Sequence, residues 1–164
     1  MHKLAHLITA TNRGLSNLIA WLALAMVVIT LGVVMLRYLF DMGTIVMQES
    51  VMYLHGLLFL LGIPAGLITN SHVRVDIMYA RMSPRRQNLV NVAGHLLFLL
   101  PVGVFILLTS LPYVAASWQV LEGSAEVGGI PAIFLLKSLI PVMAVLLILQ
   151  GVADIVQRLM KDHS

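Results

Sequence analysis

The chain has 164 residues, 60% hydrophobic and only 10% charged, with a formal net charge of +3 and a mean hydropathy of +0.97. So few polar side chains do not cover a globule in water, and the solvent for most of the surface is lipid. The absence of cysteine removes disulfides, thiolate nucleophiles and iron–sulfur ligation, and the basic residues, set between and beside apolar segments, suit lipid headgroups and membrane orientation rather than nucleic acid.

A helix crosses the hydrocarbon core in about 20 residues. The sequence predicts an all-α, single-domain membrane protein with four spans, at about 15–36, 47–69, 89–114 and 131–152. Lys3 and Arg13 precede the first apolar run, which continues past signal-peptide length and reads as a retained anchor. The short stretch Phe40 to Val46 makes the first two spans an antiparallel hairpin. That brings Arg37, at the end of the first, close to Glu49 at the start of the second. An Arg37–Glu49 ion pair is expected, acting as a clamp within the hairpin or toward a partner, or less simply as a proton or cation site.

Between the second and third spans, His72-Val73-Arg74-Val75-Asp76 alternates polar and apolar residues, predicting an interfacial segment. Ser83-Pro84 reads as the N-cap and first residue of the third helix. From Gln87 to Leu121 there is no Asp, Glu, Lys or Arg. The helix is therefore longer than a bilayer core, and Pro101 and Pro112 are candidate kinks. Asn88, Asn91 and His95 fall on one stripe, and His55 shares a face with Gly62 and Gly66, as in packed transmembrane interfaces. The alternative for His55 and His95 is a b-type haem between two helices, which would make the chain a membrane anchor of a respiratory oxidoreductase. Trp118, Glu122 and Glu126 mark the loop before the fourth span as a recognition surface. Lys137, two turns into that span, either snorkels to the interface or pairs with Glu49 or with an acid on another subunit.

Apart from Arg37 and Lys137 near helix ends on the opposite side, Lys and Arg fall before the first span, between the second and third (Arg74, Arg81, Arg85, Arg86), and after the fourth (Arg158, Lys161). The positive-inside rule places both termini and that middle loop in the cytoplasm. No hydrolase, metalloprotease or phosphate-loop motif is present, and no acidic pair capable of relaying ions lies within the spans. The chain reads as an accessory subunit, not an enzyme, with no cofactor or metal expected.

Leu36-Arg37-Tyr38-Leu39-Phe40, Gln48-Glu49-Ser50 and His72-Val73-Arg74-Val75-Asp76 occur in the order and spacing of a known family. The series continues through Ser117-Trp118, Glu122-Gly123-Ser124, Gly128-Gly129-Ile130-Pro131, Lys137-Ser138 and Gln150-Gly151. This set resembles the small membrane subunit of tripartite ATP-independent periplasmic (TRAP) transporters, in the mannitol/chloroaromatic-like branch. Many family members carry a Trp just before the helix-two acid, where this chain has Ile45-Val46-Met47. The resemblance implies a bacterial inner-membrane protein working with a large membrane subunit, which houses the substrate and sodium sites, and a periplasmic binding protein. It implies a fixed brace in sodium-coupled uptake of organic acids, with Arg37, Glu49, His72, Arg74, Asp76 and Lys137 in structural or partner contacts.

Overall fold

The computed structural model describes residues 2–68 and 79–161, with side chains for 21–64, 66–67 and 79–160. The described secondary structure is entirely helical: α1 (His2–Phe40), α2 (Ile45–Ile68), α3 (Pro84–Gln119) and α4 (Ile133–Lys161). All four are long and apolar enough to cross a membrane. Each helix outruns its expected span at one or both ends, because hydropathy marks the lipid-facing stretch while backbone hydrogen bonds continue into polar flanks. The signature His72–Asp76 lies outside the described residues.

The ends of the helices follow from local chemistry. α1 stops where Asp41 takes a left-handed φ of 52°, a conformation short polar residues tolerate. The Met42 N–H then folds back on the Leu36 carbonyl at 3.0 Å. α3 opens as expected, with Ser83 in an extended conformation at the N-cap and Pro84 at the first position, although the Ser83 hydroxyl makes no capping bond. It runs unbroken for 36 residues, about 54 Å at 1.5 Å per residue. Pro101 does not break it. The turn before that proline, His95–Leu99, widens into a π-helix in which the Leu100 N–H reaches the His95 carbonyl. A proline lacks an N–H and its ring crowds the carbonyl four residues back, and a π-turn absorbs both defects.

The helices form an open array around α4. α1 packs along α2, α4 touches both of them, and α3 packs on α4. Met143, Ala144 and Ala153 of α4 are buried with Val114 of α3. Glycines set the close approaches: a Cβ at Gly103 would lie 2.8 Å from Ile148 Cγ1, one at Gly151 2.5 Å from Leu99 Cδ2, and one at Gly56 2.7 Å from Leu136 Cδ1. Gly62, expected at an interface, faces open space.

Candidate functional site: an anchored loop and an inter-helix polar row

The connection from α3 to α4 is held by two carboxylates. α3 ends in a Schellman turn: the Leu121 N–H bonds the Trp118 carbonyl at 3.2 Å and the Glu122 N–H bonds the Ser117 carbonyl at 3.0 Å. The turn needs a left-handed residue, and Leu121 supplies it with φ 46°. This is a conformation that costs a non-glycine residue about 1–2 kcal/mol. Its effect is to aim Glu122 back over the last turn of α3. There the Ser117 hydroxyl donates to Glu122 Oε2 at 2.6 Å, and Lys137 Nζ donates to the same oxygen at 2.5 Å. The Lys137 ammonium, and after it the Ser117 hydroxyl, hold the Glu122 carboxyl below its ordinary pKa. Lys137 also sits 4.3 Å above the Tyr113 ring, a cation–π contact. Trp118 completes this side, donating from Nε1 to Ser138 Oγ at 2.8 Å and packing edge-on against Phe134 at 4.6 Å.

The second carboxylate is Glu49, at the start of α2. Its Oε2 accepts the Ile130 N–H at 2.5 Å, and its Oε1 accepts the Ser124 hydroxyl. Gly129 passes so close that a Cβ there would lie 2.6 Å from Glu49 Oε1. Glu126 stays exposed, its N–H bonded to Ser124 Oγ at 3.0 Å. The loop tip leaves Val127 92% exposed beside Gly128, whose φ of 81° favours glycine. Two helices distant in sequence thus pin one loop and leave an apolar tip projecting.

Two expectations about these residues are corrected. Arg37 does not pair with Glu49: it lies exposed near the end of α1, while Glu49 turns both oxygens toward the loop. Lys137 neither reaches Glu49 nor extends freely, because Glu122 is brought to it. The sequence held both partners, but the left-handed turn at Leu121 that joins them left no mark in hydropathy.

A second polar row joins α3 to α4 nearer the arginine-rich end. Asn88 Nδ2 donates to the Arg158 carbonyl at 3.2 Å, and Asn91 Nδ2 donates to the Tyr79 hydroxyl at 2.6 Å. His95 is buried, with Nδ1 2.6 Å from the Asn91 carbonyl and Nε2 3.2 Å from Asp154 Oδ2. Arg158 Nε donates to that same Asp154 oxygen at 2.6 Å. The expected Asn88–Asn91–His95 interface stripe is present, and Asp154 and Arg158 are the partners sequence reasoning missed. His55, in contrast, is exposed on α2 and stacks on Phe59 at 6.2 Å. With His55 on an outer face and His95 buried between α3 and α4, its Nδ1 on the Asn91 carbonyl and its Nε2 beside Asp154 without a hydrogen bond of its own, the two do not converge on a haem. Among the described residues no group of three or more His, Asp or Glu is placed to hold a metal.

The fold is that of a multi-pass membrane protein whose polar side chains fasten helices and a loop to each other. A scan against models of protein families matches residues 26–161 to the family described as "Tripartite ATP-independent periplasmic transporters, DctQ component". The chain belongs to that family: it is a small component of a TRAP transporter, part of a system completed by a large membrane subunit and a periplasmic binding protein. No curated protein and no solved structure gives a match.

Proposed function

We propose that this chain is the fixed brace of a sodium-coupled TRAP importer of organic acids, of the mannitol/chloroaromatic-like branch. It sits in a bacterial inner membrane as one small-permease domain, with both termini and the 70–88 loop on the cytoplasmic side. The α3–α4 loop then faces the periplasm and helps to dock the solute-binding protein. The observation that carries this reading is the anchoring of that loop by Glu49 from α2 and by Lys137 from α4, which presents Val127 on a rigid support rather than a floppy one. Trp118, Glu122 and Glu126 belong to the same face. Arg37, exposed at that end of α1, is proposed as a contact to the large subunit, as are His72, Arg74 and Asp76 at the other end.

The test uses the complete membrane complex in proteoliposomes. Val127→Asp places a charge on the apolar tip and is expected to weaken binding-protein docking at least about tenfold while leaving co-purification of the large subunit intact. Unchanged docking would remove the loop from the recognition surface. Reconstituted alone with a sodium gradient and candidate organic acids, the chain is expected to give no uptake. Accumulation by this chain alone would overturn the accessory role.

A further inference from the structure

We propose that the groove between the start of α3 and the end of α4 is a binding site for one anionic glycerophospholipid, with Arg85 and Arg86 holding the phosphate. The proposal rests on the membrane-spanning fold and not on the transporter assignment. The groove, of about 440 Å³, is lined by Arg85, Arg86, Asn88, Leu89, Val92 and Leu159. Its chemistry changes along the direction in which α3 enters the membrane. The two guanidinium groups stand in the first turn after Pro84, at the level where a span meets the headgroups. Leu89 lies one turn deeper and Val92 about 10 Å deeper, with Leu159 closing the wall from α4.

That order, cation at the surface and aliphatic wall below, is the order of a glycerophospholipid: phosphodiester first, acyl chain beneath. Leu89 is 69% exposed and Leu159 48% exposed, so the wall opens sideways to lipid. Neither Arg85 nor Arg86 meets a carboxylate among the described residues, since the ion pairs at this end use Asp154 with His95 and Arg158. A planar guanidinium pairs with a phosphate through two parallel hydrogen bonds, and its stem covers apolar surface. Beside the groove lies a second, polar hollow of about 290 Å³ that shares Arg85 and Asn88 and adds Arg158 and Gln87. The amide nitrogens of Gln87 and Asn88 are already given to backbone carbonyls there, so the guanidinium groups are the donors left for headgroup oxygens. An acidic peptide would satisfy the arginines but would have to run its backbone down into hydrocarbon to fill the groove, where backbone polar groups find no partner.

The full-length chain, purified in neutral detergent, is titrated with dioleoyl phosphatidylglycerol, with dioleoyl phosphatidylcholine and with inorganic phosphate, and bound lipid is counted by native mass spectrometry. One phosphatidylglycerol is expected to be retained at saturation, with phosphatidylcholine and inorganic phosphate at least about tenfold weaker. Each surface basic residue contributes enough that the double change Arg85→Gln with Arg86→Gln lowers phosphatidylglycerol affinity roughly thirtyfold. Arg85→Lys with Arg86→Lys keeps much of it, and Arg37→Gln, at the opposite end, keeps all of it. Equal retention of the two lipids overturns the proposal, as does an unchanged glutamine double variant. Inorganic phosphate binding as tightly as phosphatidylglycerol overturns it too, as an anion site without a lipid. If the double variant fails to insert, the comparison of lipids on the unaltered chain decides the question.

Discussion

The carboxylate of Glu49 receives the backbone N–H of Ile130 at 2.5 Å, across 81 residues of sequence. A side chain at the start of α2 therefore fixes the backbone of the loop before α4, and the other oxygen of Glu49 holds the Ser124 hydroxyl in the same grip. Glu49→Ala removes the acceptor of both the Ile130 N–H and the Ser124 hydroxyl, and a donor left without a partner costs about 1–3 kcal/mol. Hydrogen exchange at residues 120–132 of the full chain in nanodiscs is expected to accelerate at Ile130 first. Unchanged protection there would mean that the loop is held by something other than Glu49.

Arg37 lies outside this arrangement. A double-mutant cycle on complex stability with Arg37→Ala and Glu49→Ala is expected to be additive to within about 0.5 kcal/mol, because the residues share no partner. A coupling energy above about 1 kcal/mol would restore the hairpin ion pair that the sequence suggests.

The clasp of Glu122 on Lys137 depends on pH. Glu122 has its pKa lowered in the folded protein, first by the hydrogen bond from Lys137 and then by that from Ser117. A carboxyl with a depressed folded pKa contributes stability that is complete above its unfolded value of about 4.5 and disappears as pH falls through the lower, folded value. Trp118, bonded to Ser138 beside Lys137, reports on the clasp. In a Trp21→Phe background its fluorescence is expected to hold steady near neutral pH and to change on acidification below 4.5. Lys137→Met should produce the acid-like signal already at neutral pH. A profile identical in Lys137→Met and the parent would show that the clasp does not position Trp118.

Glycine replacements separate real contacts from a sequence pattern. Gly103→Ala meets Ile148 Cγ1, an atom near the base of its side chain, at 2.8 Å. It is expected to destabilise the α3–α4 contact by about 1–3 kcal/mol. Gly62→Ala meets nothing within 4 Å and gains helix propensity, so it is expected to be neutral or stabilising by up to about 1 kcal/mol. Thermal unfolding in one detergent ranks the two. A more damaging Gly62→Ala would show that Gly62 packs against a partner chain.

What the sequence made legible follows from local rules. Four spans, the start of α3 at Ser83-Pro84 and the stripe of Asn88, Asn91 and His95 each arise from residues within a few turns of one another. Long-range pairings were not legible. Arg37 and Glu49 are close along the hairpin, and proximity alone suggested a bond. Yet the first faces outward and the second is turned toward a loop contributed by a later part of the chain. Lys137 met the same difficulty, since its partner depends on one left-handed residue, Leu121, whose side chain carries no turn signal. Arg158 reads in the sequence only as a basic residue after the fourth span, and Asp154 carries no signal there; the length of α4 brings Asp154 to His95 and Arg158 to Asp154.

The central position of α4 has a consequence for how the chain is made. Synthesis runs from the amino terminus, so the helix on which both sides of the array pack is the last of the four to leave the ribosome. The hairpin of α1 and α2 has its own internal contacts and can settle as soon as it is inserted. α3 has no such companion until residue 133 and beyond arrive, and in the interval Asn88 and His95 stand without the Arg158 carbonyl and the Asp154 carboxylate that later face them. A stalled or truncated chain is therefore most exposed to membrane quality control at this stage. A chain cut before α4 should disappear faster than one cut after α2, although it is longer and more apolar.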